Sequence, residues 1–295
     1  MSVDGRADVR VARRRDAEFL DCLREIEPVP ETLWVLGRDL RALGPCVAIV
    51  GARSPTPYGL EVARGLASDL ASAGVCVVSG MARGIDAAAH EGALAARGAT
   101  VAVLGSGVDV PYPAMNRPLY ERIARNGTIV SEFAPGTRAR KFHFPRRNRI
   151  IAALASAVVV VQAARRSGAL GTAGLALDAG REVLAVPGDV RSELSVGPHA
   201  LLRDGAKLCA CAGDVLDGLH LELIRPAGQD PKRSCPQEAA VVRALAAGPA
   251  RADQIAARAE LDHPAAMRAI ARLEIAGIVA RGPGGVYRRR EIGGA

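Results

Sequence analysis

Six short apolar runs dominate the chain: VAIVGA (47–52), VCVVSG (75–80), TVAVLG (100–105), TIVSEF (128–133), AVVVVQ (157–162) and EVLAVPG (182–188). Each is rich in β-branched residues and continuous in its hydrophobicity rather than alternating. A strand of that kind is buried on both faces, which is the condition of a parallel sheet covered by helices. Helix-like segments separate the runs, near 58–73, 85–97, 116–125, 146–156 and 170–180. Strand, helix and strand in regular succession, joined by right-handed crossovers, make an α/β fold with a Rossmann-like, doubly wound parallel sheet.

The flanks differ from this centre. Residues 1–32 are highly charged and end in Pro28 and Pro30. They are expected to form an N-terminal arm with one short helix near 16–26, ahead of a sheet domain over 33–225. The polar stretch RPAGQDPKRSCP (225–236) reads as a linker, placed at 226–235. Three short helical segments follow, near 237–247, 252–259 and 263–276, and then IVARGPGGVYRR supplies strand, glycine-rich turn and strand. Three helices and a hairpin over 236–290 predict a small winged-helix domain. Its third helix carries only Arg268 and Arg272 as basic residues, and reading base edges takes side chains such as Arg, Asn or Gln. The module, with Arg288, Arg289 and Arg290 at the end of its hairpin, is therefore expected to add at most a sequence-blind electrostatic contribution. No apolar run reaches about 18 residues and the N-terminus has no apolar signal region, so a cytoplasmic location and no membrane partner are expected.

The formal net charge is +8. Lys141, Lys207 and Lys232 are the lysines; the rest of the 39 basic residues are arginine, in a chain also rich in alanine. Such enrichment accompanies high-GC coding, so the position of the charge says more than its sum. Position is informative. In an open parallel sheet, ligands bind outside the carboxyl ends of the strands, and here those ends carry Gly51-Ala52-Arg53-Ser54, Ser79-Gly80-Met81-Ala82-Arg83-Gly84, Gly105-Ser106-Gly107 and Arg165-Arg166-Ser167-Gly168. Small residues let a ligand approach the backbone, helix-start N–H groups hold anions, and arginines add full charge. Glycine at one strand end is ordinary turn chemistry; the set together predicts an anion-binding crest.

The segment PGTRARKFHFPRR (135–147) strengthens this reading. Lys141, Arg146, Arg147 and Arg149 surround Phe142 and Phe144, directly before a buried strand. Basic groups interleaved with aromatics suit single-stranded nucleic acid, arginines holding phosphates and rings stacking on bases. Arg146 to Arg149 would occupy the first turn of the 146–156 helix, where they oppose the macrodipole. Asn148 would cap or hold a backbone group. Phe144 before Pro145 reads equally well as a hydrophobic staple.

Other chemistries lack their residues. GARSPTPYG is not G-x-G-x-x-G, no G-x-x-x-x-G-K-[ST] occurs, and the six cysteines show no zinc spacing, so no cofactor or metal is expected. Cys46 and Cys76 read as small core residues. Asp86 and His90, four apart on one helix, read as a structural salt link ahead of a catalytic pair.

The blocks VAIVGARSPTPYG, VVSGMARGIDAAAHEGAL, VAVLGSGVDVPYP, SEFAPGT, FPRRNRIIA, SGALGTA and EVLAVPG, in this order, resemble those of the DprA/Smf family of bacterial DNA-processing proteins. The resemblance covers about residues 33–220, and the C-terminal winged helix fits it. It implies an extended Rossmann domain that binds single-stranded DNA, forms a homodimer, protects incoming strands in natural transformation and helps load the recombinase RecA. Apolar helix faces beside AVVVVQA and LALDAGREVLAVPG fit a dimer surface. Carried onto this chain, the nucleic-acid contacts fall on Arg53, on Lys141, Phe144, Arg146, Arg147, Asn148 and Arg149, and on Gly80 and Gly168; Ser79, Arg83 and Ser167 at the strand ends complete the expected site, with no catalytic residue. The chain departs from the family at Gly171, where a bulky residue is usual, around Gly197 to His199, and before Trp34, where only the short arm stands in place of a sterile-alpha-motif-like domain. The competing reading is an enzyme, a nucleoside-monophosphate phosphoribohydrolase on a related fold. Gly171-Thr172 resembles its motif, but no carboxylate follows until Asp178. A transcription regulator using the winged helix on duplex DNA is the third.

Overall fold

A computed structural model describes residues 9–16, 19–219, 236–246, 248–275, 278–282 and 285–289. The chain divides into two compact units, 1–224 and 225–295. The expected linker at 226–235 lies outside the described residues, as does Arg290.

The first unit is built on a nine-stranded sheet. Its elements in chain order are β1 (Arg10–Arg13), β2 (Thr32–Gly37), β3 (Cys46–Val50), α1 (Pro57–Ser72), β4 (Cys76–Ser79), α2 (Ile85–Ala95), β5 (Thr100–Val103), α3 (Arg117–Asn126), β6 (Thr128–Ser131), α4 (His143–Leu154), β7 (Ala157–Val160), α5 (Gly168–Asp178), β8 (Glu182–Ala185), α6 (Val196–Arg203), β9 (Lys207–Leu208) and α7 (Ala212–Gly218). The strand order is β1-β2-β6-β5-β4-β3-β7-β8-β9. From β6 to β9 every pairing is parallel. The chain therefore winds outward from β3 to β6 in one direction and from β7 to β9 in the other. The order reverses between β3 and β7, which opens a crevice at their carboxyl ends.

Alternation along the strands explains both helical layers. Ala48, Val50, Val78, Val103, Val158 and Val160 pack with Ile150 and Ile151 of α4 and Ala173 of α5. Val47, Ile49, Val77 and Val159 face the other way, onto Leu66 and Leu70 of α1, Ile85 and Ala89 of α2 and Val215 of α7. Cys76 is buried and Cys46, its register partner on β3, is half-buried.

Expectations for the N-terminal flank and for the helices are corrected. The N-terminal segment is not an arm. β1 and β2 extend the sheet as an antiparallel pair on β6, and Phe19, Leu23 and Ile26 are buried in the core cluster that contains α4. The expected helix over 16–26 is a single 3-10 turn, Asp21–Leu23. The Arg24 guanidinium donates back to the carbonyls of Arg14 and Asp16 and lies over the Phe19 ring; burying those three apolar residues on the sheet overrides the helical spacing. The helix expected at 146–156 starts earlier, at His143. Pro145 fits its first turn, where an N–H has no intrahelical partner. The basic run therefore lies deeper in the helix, and Phe144 inside it is not a staple.

The second unit contains α8 (Pro236–Ala246), β10 (Ala250–Arg251), α9 (Ala252–Arg258), α10 (His263–Ile275), β11 (Val279–Arg281) and β12 (Val286–Arg289). Three helices and a three-stranded sheet ordered β10-β12-β11 enclose Val241, Leu245, Ile255, Ile270 and Leu273. This is a winged helix. Among the described residues, no helix of the chain is long and apolar enough to cross a membrane.

Candidate nucleic-acid interface

The crevice at the switch point is a cleft of about 760 Å³. Arg53 and Ser54 enter it from the loop after β3, Lys141, Phe144, Arg147 and Asn148 from α4 and its approach, and Arg166, Ser167 and Gly168 from the β7–α5 turn. Backbone bonds brace its walls. Ala52 N–H donates to the Gln162 carbonyl at 2.7 Å, and the Gln162 amide both accepts from Thr56 N–H at 3.0 Å and donates to the Thr56 hydroxyl at 2.9 Å. Gly84 lets the β4–α2 loop close on this wall: with φ at +80°, any Cβ there would run into the Ala52 carbonyl and Pro55.

The cleft presents charge and a ring side by side. The exposed Arg53 guanidinium lies 5.2 Å from the Phe144 ring centre, and Phe144 packs against Tyr112 at 5.5 Å. Lys141 is exposed beside them. Ser167 caps α5, its hydroxyl accepting from Ala169 N–H at 3.3 Å; the hydroxyl proton is left over for a ligand oxygen, next to the first N–H groups of an 11-residue helix. Asn148 donates to the Gly168 carbonyl at 3.4 Å and ties α4 to that helix start. A groove with arginines, a lysine, a helix start and an aromatic platform can hold phosphate and stack a base.

Several residues predicted to touch nucleic acid are placed elsewhere. Ser79 is fully buried and donates to the Ile49 carbonyl at 2.6 Å. Gly80 is also buried, against the Arg147 guanidinium. Arg149 is buried on Glu132 at 2.7 Å. Arg146 is exposed, shares Glu132 at 2.9 Å, lies over Phe133 and does not line the cleft. Arg83 is exposed on the neighbouring loop and does not line the cleft. Arg147 does line it, but as its floor: only 4 % exposed, it donates to the Val103 carbonyl at 2.7 Å. Burial drops its pKa to about 10, opposed by the Asp86 carboxylate. Arg147 is thus a core residue, contrary to its expected place at a helix start. Tyr112 belongs to the site and was not anticipated; its signal was an aromatic between Pro111 and Pro113 in the loop after β5, a place that exposes a ring.

Asp86 and His90 form no salt link. Asp86 is buried, accepts from Ala82 N–H at 3.4 Å and faces Arg147; burial raises its pKa. His90 bonds Thr100 through Nδ1 at 2.7 Å. Because the Thr100 hydroxyl donates to the Val77 carbonyl, it must accept from His90, so Nδ1 carries the proton and Nε2 is left without a partner. Burial, with Arg147 adding to it, lowers the His90 pKa from 6.5 to about 3. The unfolded chain takes up this proton below about pH 6.5 and the folded chain does not. The His90 contribution is therefore whole above pH 6.5 and lost as pH falls towards 3, at about 1.4 kcal/mol per pH unit. Asp86 acts in the opposite sense, so the comparison must be with a variant. Urea unfolding at pH 7.5 and 5 should show wild type losing about 2 kcal/mol more than His90→Gln; parallel losses would contradict the tautomer and burial described.

Comparison with known proteins places the chain among DNA-processing proteins. Residues 10–220 match the family described as DNA recombination-mediator protein A, and residues 225–285 the DprA winged helix domain. A putative DNA processing protein DprA from Mycobacterium tuberculosis is 44% identical over 259 residues, which cover 84% of this chain and 66% of that protein. The chain thus spans about two thirds of that relative's length. The X-ray structure of DNA processing protein A from Streptococcus pneumoniae superposes with a TM-score of 0.68 at 40% identity, covering 71% of this chain and 74% of the other. The Helicobacter pylori DNA processing protein A, whose structure concerns its single-stranded DNA binding mode, gives 0.65 at 29% identity, covering 73% and 98%.

Proposed function

The chain belongs to the DprA/Smf family of DNA-processing proteins, and from that premise we propose that it binds single-stranded DNA in the cleft between β3 and β7, protects incoming strands in natural transformation and helps deliver them to RecA. The observation that carries the binding reading is the pairing of Arg53 with Phe144 at the switch point, a cation and a stacking face on one wall of a cleft whose other wall is the α5 start. The Helicobacter pylori relative supports the choice of ligand, since its structure concerns single-stranded DNA. Homodimer formation and a cytoplasmic location are part of the same proposal, and the family role supports them. Sedimentation checks the first, and filament assembly by RecA on coated strands checks delivery.

The protein works here by binding rather than catalysis. Among the cleft-lining residues the carboxylate is Asp86, and it is engaged by a backbone amide and by Arg147. That leaves no free carboxylate poised for N-glycosidic hydrolysis, and a nucleoside-monophosphate turnover assay tests the point.

Fluorescence anisotropy with a labelled dT20 and a matched duplex, from 50 to 300 mM salt, tests the binding reading. The single strand should bind at least about tenfold more tightly, with a log–log salt slope of about −0.7 per phosphate neutralised. Equal affinity for duplex, or a flat salt response, would overturn it.

A further inference from the structure

A second arginine cluster lies on the edge strand of the same sheet. β1 is antiparallel to β2, and β2 is antiparallel to β6, so β1 runs in the same sense as the parallel strands. Its carboxyl end therefore comes out on the rim that carries the cleft. The register sets the height. Trp34 pairs with Ser131, the last residue of β6, and Arg13 pairs with Thr32, two residues farther out. Arg13, Arg14, Arg15, Arg24, Glu31 and Thr32 line a separate cleft there of about 470 Å³.

The four guanidiniums are not equivalent. Arg24 is spent inside the fold, on the carbonyls of Arg14 and Asp16, near Asp21 at 3.5 Å and over Phe19. Arg14 reaches Glu31 at 3.3 Å, and that carboxylate is itself 81% exposed. The Asp16 carboxylate accepts from the Arg13 backbone N–H at 2.8 Å. Arg13 and Arg15 are exposed and form no ion pair among the described residues. Edge strands commonly carry charge to deter pairing with another chain, but that purpose needs no concavity. Here two guanidiniums without an ion pair among the described residues, and a loosely held third, share one hollow.

The rim between the two clefts is basic as well. Arg138, Arg140 and Lys141, in the loop after β6, are all exposed. Basic residues spread along the rim match a polyanion better than an isolated phosphate. From β1 to β3 is five strand spacings, about 24 Å at ~4.8 Å each. A stacked single strand at ~3.4 Å per phosphate covers that in about seven nucleotides.

We propose that Arg13 and Arg15 form a second phosphate-holding station, which engages the far end of the same single strand that the β3–β7 cleft holds. The inference rests on the single-strand reading above and adds to it the path and length of the bound strand.

The test compares dT4, too short at stacked spacing to reach both stations, with dT20 on the full chain. R13E/R15E should leave dT4 affinity within about twofold of wild type. It should weaken dT20 about tenfold or more and flatten its salt slope by about 1.4, two phosphates at 0.7 each. R13S/R15S should show the same pattern at smaller size, and carries the test if the charge-reversed variant does not melt like wild type. Unchanged dT20 affinity and slope would overturn the proposal. So would equal weakening of both probes, which means the change acts through the first cleft. Inorganic phosphate binding that depends on Arg13 and Arg15 while dT20 affinity does not would also overturn it, by making the hollow a free-phosphate site. Arg53→Glu separates the two readings: if it leaves dT4 untouched, the first cleft is misassigned, whatever the edge variants do.

Discussion

Replacing Gly80 by alanine is expected to lower the unfolding free energy by about 1–3 kcal/mol, the size of effect seen when an extra methyl is forced into a close-packed interior. The new Cβ would overlap the Arg147 guanidinium. That group has little room to give. It is bonded to the Val103 carbonyl, and its charge acts on the buried Asp86 carboxylate. Its escape route is outward into the cleft, which would leave Asp86 buried without its cation. Arg147→Ala should cost a comparable amount for the same reason. The two changes should not add: once the guanidinium is gone, alanine at position 80 meets nothing to displace. A double-mutant cycle by urea unfolding should therefore return a double variant hardly less stable than Arg147→Ala alone. Full additivity would mean that Gly80 is required for some other reason.

Arg53→Glu should do the reverse, weakening single-strand binding strongly while leaving stability alone. Arg53 is exposed, and its interaction inside the fold is with the face of Phe144. A charged hydrogen bond from Arg53 to a phosphate would contribute about 1.5–3 kcal/mol, so losing it should reduce dT20 affinity by roughly 10- to 150-fold. Reversing the sign adds repulsion beside Lys141. Anisotropy titration at fixed salt, with a thermal melt of the same preparation, measures both halves. Wild-type affinity in a variant that melts normally would remove Arg53 from the interface.

These two residues show how unevenly a site can be read from a chain. Arg53 and Arg147 look alike in sequence: each is an arginine expected beside a strand or helix end. One is a free cation at the mouth of the cleft and the other is its floor. Nothing local separates them. Helix α4 begins at His143, which puts Phe144, Arg147 and Asn148 on the side that lines the cleft, Arg147 reaching down to the Val103 carbonyl, while Arg149, about 200° round the helix from Arg147, is buried on Glu132. Ser79 and Gly80 misled for a related reason. Strand-end position is local information, whereas their commitment to Ile49 and Arg147 depends on partners 30 and 67 positions away in the chain.

The residues alone are enough to establish the parallel α/β sheet and the winged helix, and they point to the rim of the sheet on which the cleft lies. Those follow from short-range physics: unbroken β-branched runs must be buried on both faces, and strand-to-helix turns of small residues must cluster at one rim. The DprA/Smf membership was legible in the same turns. The sheet's extent depended on the fold. Residues 10–13 become a strand because β2 offers an open edge, and Phe19, Leu23 and Ile26 abandon a helical spacing for burial under α4. Folding also decided the state of each charge. Arginine in water and arginine bonded to a buried carbonyl are the same letter, and the difference between them is solvent access, which long-range packing sets.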